Sequence, residues 1–154
     1  MSKPRFNIID AVVILAIIAV IAAGIWYFST ARGGDQVGVY FVVEFRGRMP
    51  GFEDNIAVGG EIRDSIRNVL LGRVVYVDVQ PATQTTFDNE TGVFMLADLP
   101  DRYDVYVTIR GNGTENNSEI RSEGELVRIG QEMFLRGRGY AGIGFITHLW
   151  TDGR

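Results

Sequence analysis

The 154-residue chain has no cysteine, only four prolines and a single histidine. Without cysteine there is no disulfide, no thiolate-ligated zinc and no thiol nucleophile. The lone His148 has no nucleophile or orienting acid at a spacing that suggests a catalytic set, and it reads as a terminal strand position beside Trp150. No His/Asp/Glu spacing matches a zinc site. Excess positive charge is also missing. Lys3, Arg5 and Asp10 fall in the first 31 residues, so the rest keeps 13 basic and 18 acidic side chains, net −5. That balance argues against nucleic acid as a partner, because phosphate binding relies on a basic face. Helix-period patterning is absent after Phe28, apart from a weak stretch at Asp64–Leu71. The expectation is a non-enzyme with no cofactor, no metal and no catalytic residue.

What is present begins with one long apolar run. Ala11–Phe28 is 18 residues without a charge. At ~1.5 Å per residue an α-helix there would span roughly 27 Å, near the hydrocarbon thickness of a bilayer. Asp10 stands where a helix N-cap would, and Trp26 and Tyr27 stand where interfacial rings would. Lys3 and Arg5 precede the run, which places the N-terminus in the cytoplasm and the rest outside. Ser29-Thr30-Ala31 offers the small residues of a signal-peptidase site, but the run exceeds the 7–15 residues of a signal core. The sequence therefore predicts a cytoplasmic N-terminus (1–10), a transmembrane helix (11–31) contacting lipid through residues 11–28, a linker (32–36) and an extracytoplasmic β domain (37–150). The expected location is the cell membrane, as a single-pass protein.

With 19 glycines and many β-branched and aromatic residues, the remainder reads as strands and tight turns. VGVYFVVEFRG (37–47), VLLGRVVYVDVQP (69–81) and YDVYVTIRG (103–111) are strand text, residues 82–90 are polar, and NGTENNSE (112–119) is a hairpin tip. An internal echo runs through it. VEFRG (43–47) returns as VTIRG (107–111), VGGEI (58–62) as IGQEM (129–133), and LGRVVYV (71–77) as AGIGFIT (141–147), at offsets of 64, 71 and 70. The order predicts two related three-strand units paired about a pseudo-twofold axis, in an all-β small barrel or sandwich after the transmembrane helix. Gly59 and Gly130 are the turn glycines of the repeated motif, and Gly72 and Gly142 would allow a bulge or a close crossing.

FNIIDAVVILAII, VYFVVEFRG, IAVGGEIRD, LGRVVYVDVQP and LVRIGQEMFLRGRGYAGIGFIT together resemble a bacterial family of single-span membrane proteins catalogued only as a domain of unknown function. The resemblance implies an anchored extracytoplasmic β domain. Val58–Ile62 and Gly72–Val77 are more loosely similar to the mammalian-cell-entry (MCE) domains of lipid-transport systems, but the long C-terminal helical region of many members is missing.

Candidate sites are few. Phe94, Met95 and Leu96 make an interaction patch if exposed, and an ordinary core strand if not. Arg136, Arg138 and Tyr140 form a Gly-rich loop that could meet an anion or headgroup. Asp98, Asp101 and Asp104 are spaced for a solvated acidic loop or a calcium site. Asn89, Asn112 and Asn116 begin Asn-x-Ser/Thr triplets in polar loops. The functional expectation is an envelope interaction or assembly module that meets a protein partner or itself. Lipid or apolar-ligand transport of mammalian-cell-entry type is the alternative, and an envelope hydrolase the second.

Overall fold

The computed structural model describes residues 8–31 and 35–153. Residues 1–7, with Lys3 and Arg5, and 32–34, most of the expected linker, lie outside the described residues. Internal contacts divide the chain into Met1–Gly34 and Asp35–Arg154. The first unit holds helix α1, Ile8–Ala31. Val13, Ile14, Leu15, Ile17, Ile18, Val20, Ile21 and Ile25 are all exposed, so residues 13–27 of α1, whose side chains are described, show no buried apolar stripe. Over these residues the helix is not long and apolar enough to cross a membrane.

The second unit is one antiparallel sheet of eight strands: β1 Asp35–Arg48, β2 Glu61–Asp64, β3 Leu70–Asp88, β4 Val93–Glu115, β5 Ile120–Ser122, β6 Glu125–Val127, β7 Glu132–Gly137 and β8 Tyr140–Thr151. Strict alternation in β1 and β4 builds the interior. Val39, Phe41, Val43 and Phe45 bury against Val105, Val107 and Ile109, joined by Ile62, Leu71, Leu135 and Ile146. β1 pairs with β4 on one side and β8 on the other. The pairings β1–β8–β7–β2–β3–β4–β1 therefore return to their start, leaving β5 and β6 as an appendix of β4.

Exchanging β1 with β4, β2 with β7 and β3 with β8 maps this circuit of pairings onto itself. The match extends to single hydrogen bonds. Gly59 N donates to Val74 O at 2.7 Å and Val74 N to Gly60 O at 2.9 Å. Gly130 N donates to Ile146 O at 2.7 Å and Ile146 N to Gln131 O at 3.0 Å. Gly59 and Gly130 have φ of 85° and 83°, a conformation only glycine adopts readily. The bulge between Val74 and Tyr76, opposite Ile109 and Thr108, matches the shift at Val43/Val42 opposite Ile146 and His148. By these pairings Val43 corresponds to Ile109, Gly59 to Gly130 and Val74 to Ile146, offsets of 66, 71 and 72. Two of the three sequence echoes are therefore two residues out of register. A two-residue slip keeps every side chain on its own face, so the hydrophobic pattern could not expose it. The counterpart of Gly72, which faces Ile62, is Gly144, which faces Met133; Gly142 lies opposite Leu135.

Three sequence readings change. The stretch read only as polar is strand through residue 88, because β3 runs to Asp88. Thr83, Thr85 and Thr86 are β-branched, and with both faces of this segment largely in water no apolar alternation is required. The loop expected at 112–119 is shorter, because β4 continues to Glu115. The weak helical stretch is a single turn. Asp64 Oδ1 accepts from the N–H groups of Ile66 and Arg67, at 2.7 Å each, and Asn68 closes it at φ 59°.

Candidate functional site

Two surfaces of the β unit stand out. The first is an arm. Beyond Tyr103, β4 no longer pairs with β1, and residues 93–98 pair only with 83–88 of β3. The arm turns at Asp88–Gly92, where Asp88 accepts from Glu90 N and from the Thr91 hydroxyl. These bonds hold the exposed Asp88 carboxyl below its ordinary pKa. Phe87 and Phe94 face each other edge-on, with ring centroids 5.2 Å apart. Phe94 and Leu96 are each 71 % exposed, and Phe87, Val93 and Met95 are exposed too. The core-strand alternative for Phe94–Leu96 therefore does not hold. A two-stranded ribbon with apolar groups on both faces and open edges is unusual in water.

Arg136, Arg138 and Tyr140 lie on the β7–β8 hairpin. Its turn leaves the circuit at the same end as the arm, marked by the Arg48–Tyr103 pairing and the bond from an Arg48 amino group to Ile143 O at 2.7 Å. Their side chains have separate surroundings. Arg136 donates to Asn68 Oδ1, and Arg138 is exposed. Tyr140 sits edge-on to Phe52 at 5.8 Å, and burial pushes its phenol up to about 12. The acidic run is equally dispersed: Asp98 pairs with Thr83 on the arm, Asp101 turns at φ 53°, and Asp104 Oδ1 accepts from Gly47 N at 2.7 Å. Among the described residues no three acidic or histidine groups converge on a metal position. His148 is exposed with Nδ1 3.1 Å from the Thr147 hydroxyl. Asn116 caps the β4–β5 turn, accepting from Ser118 N and Glu119 N, and Asn112 donates to Glu123.

The second surface is one that sequence reasoning missed. Two cross-strand rows run over the outer face of β3, β4, β1 and β8. The first is Arg73–Arg110–Tyr40–Trp150 and the second Asp78–Tyr106–Glu44–Phe145. The twofold exchanges them, placing Arg110 where the other row has Glu44, Arg73 where it has Phe145, and Tyr40 where it has Tyr106. Glu44 is only 7 % exposed and fully engaged. Arg46 bonds it at 2.7–2.8 Å while lying 5.4 Å from the Phe145 ring, and the Tyr106 hydroxyl donates to it at 2.9 Å. Glu44 raises the Arg46 pKa, and burial followed by the Glu44 bond pushes Tyr106 up to about 12. In the other row Tyr40 and Trp150 stack at 5.5 Å and 8°, and the Arg110 guanidinium lies 5.7 Å from the Tyr40 ring. A lone acid inside VYFVVEF was the available signal for Glu44; for the rest the signal exists only once the register is known.

No curated protein and no solved structure matches the chain. The family model described as a domain of unknown function, DUF4330, matches residues 3–149, so the chain belongs to that family.

Proposed function

We propose that this protein is a membrane-anchored, non-catalytic interaction or assembly module of the bacterial envelope. On this reading the full apolar run, residues 11–28, lodges in the bilayer with the N-terminus cytoplasmic. The closed pairing circuit is a small barrel built from two duplicated three-strand units, a form that removes the edges either unit would leave alone.

The observation that carries the reading is the apolar arm. Asp35, where the tether enters the β unit, pairs with Glu115 at one end of β4, while the arm leaves at the other. Twelve residues separate Glu115 from Tyr103, about 40 Å along the strand at ~3.3 Å per residue. The arm thus reaches away from the attachment point with Phe94 and Leu96 uncovered. Covering these two side chains would be worth roughly 1.5–3 kcal/mol each.

The test is photo-crosslinking of the full-length protein in native membranes, with a photoreactive residue at Phe94 or Leu96 and a control at Asn117. Discrete adducts to protein from 94 and 96 but not 117 support the module. Adducts to lipid alone favour lipid handling instead, and no adduct from either arm position contradicts the reading.

A further inference from the structure

Over β3 and β4, between the loop that precedes β2 and the β5–β6 turn, lies an open groove of about 650 Å³, lined by the polar Arg73, Arg110, Asn112 and Glu123 and the apolar Val58 and Val75. That volume lies in the range of small-molecule sites. We infer that this groove binds an organic anion, a carboxylate or phosphate ester carried on a small apolar body, with Arg110 as its principal anchor and Arg73 beside it.

Four observations lead there. Arg73 and Arg110 are direct cross-strand partners, an arrangement of like charges that destabilises a sheet unless something neutralises it. Their neutralisation is incomplete. Glu61 is shared between Arg63 and Arg73, 3.2 Å from each, and among the described residues no carboxylate forms an ion pair with Arg110. Glu123 on the rim is occupied, with Oε1 accepting from Asn112 N at 3.0 Å and Nδ2 at 3.3 Å.

The twofold supplies the third observation. At the equivalent place in the other half, Glu44 stands for Arg110 and Phe145 for Arg73, and Arg46 follows Glu44 by two residues as Asn112 follows Arg110. There the chain fills the position itself, with the Arg46 guanidinium over Phe145 and bonded to Glu44. Here the corresponding space is open and its cation lacks the carboxylate that the other half provides.

The fourth is the floor. A Cβ at Gly72 would stand 2.4 Å from Arg110 O, and one at Gly111 2.0 Å from Ser122 Oγ. The floor is therefore closed to side chains, and the anion's partners are the two guanidiniums, whose planar forks suit carboxylate and phosphate oxygens. The exposed Val58 and Val75, together with the half-buried Leu70, give the apolar body a surface to cover.

The test is calorimetric titration of the full-length protein, held in phosphatidylcholine nanodiscs, with hexanoate, phenyl phosphate and inorganic phosphate. The expected result is saturable binding of at least one organic anion, with inorganic phosphate at least tenfold weaker. Arg110→Gln should weaken binding tenfold or more, Arg110→Lys should retain part of it, and Arg128→Gln, an exposed arginine outside the groove, should leave it unchanged. Circular dichroism of each variant confirms the fold. No saturable binding of either organic anion overturns the inference, as does an Arg110→Gln protein that is folded and binds like the wild type. Equal loss in Arg128→Gln, or inorganic phosphate binding as tightly as both organic anions, also overturns it. The inference is independent of the arm, so either can fail alone.

Discussion

Gly72→Ala and Gly144→Ala, twofold mates on β3 and β8, should destabilise the β unit unequally. Gly72 has φ of 149°, and a Cβ there would meet Arg110 O at 2.4 Å, Arg110 C at 2.8 Å and Ile109 Cγ2 at 2.9 Å. Two of those three atoms are backbone in the β3–β4 pairing and cannot rotate away. Backbone strain of about 1–3 kcal/mol adds to overpacking of about 1–3 kcal/mol. The expected loss is about 2–6 kcal/mol, a large part of the ~5–15 kcal/mol that holds a domain together. Gly144 has no positive φ, and its Cβ would meet chiefly the Val43 Cγ1 methyl at 2.3 Å, with Glu44 O at 3.2 Å. Only the overpacking part applies, about 1–3 kcal/mol. The assay is urea unfolding of the full chain in neutral detergent, read by Trp150 fluorescence in a Trp26→Phe background, with midpoint and slope compared. A Gly72→Ala loss below ~0.5 kcal/mol, the scatter of unremarkable surface substitutions, would refute the close crossing of β3 on β4. A loss no larger than that of Gly144→Ala would refute the strain.

Glu44→Ala should cost about 1–3 kcal/mol by stripping Arg46 and the Tyr106 hydroxyl of their shared partner, while Tyr106→Phe should cost less; urea unfolding compares them. Phe94→Ser and Leu96→Ser should leave stability within about 0.5 kcal/mol, since both side chains are exposed, yet abolish the arm's crosslinks in membranes. Tyr106 and Tyr140 should titrate late. Their folded pKa values, pushed up to about 12, exceed the ordinary 10.0, so the stability they confer is complete below pH 10 and disappears as pH rises toward 12. Absorbance at 295 nm should show a tyrosinate phase near pH 12 that coincides with unfolding and shrinks in Tyr106→Phe; ionisation of both tyrosines near pH 10 in the folded protein would contradict it.

The interior strands were readable because one face is buried: Val39, Phe41, Val43 and Phe45, and Val105, Val107 and Ile109, alternate as a half-buried strand must. The arm's strand at residues 82–88 was not legible, for the opposite reason. Nothing there is driven to one face, and its strand character rests on Thr83, Thr85 and Thr86 and on pairing with 93–98. The symmetry of the pairings left an echo in the sequence, but its register was not legible, because two neighbouring glycines, Gly142 and Gly144, compete to match Gly72. Hydrogen bonds at Val74 and Ile146 decide between them. The rows across β3, β4, β1 and β8 assemble residues as far apart as Tyr40 and Trp150. No local pattern marks such a row, and charges on an outer face read alone as solvated side chains.

The proposal of an anchored module with its β unit outside the cytoplasm has one direct test, made simple by the absence of native cysteine. Asn117→Cys places a single thiol at the exposed β4–β5 turn of the full-length protein. A membrane-impermeant maleimide is applied to intact cells, and alkaline carbonate then separates integral from peripheral protein. Labelling in intact cells, with the whole labelled chain retained in the membrane pellet, is the expected result. Labelling only after lysis, or release of the chain by carbonate, would contradict the account.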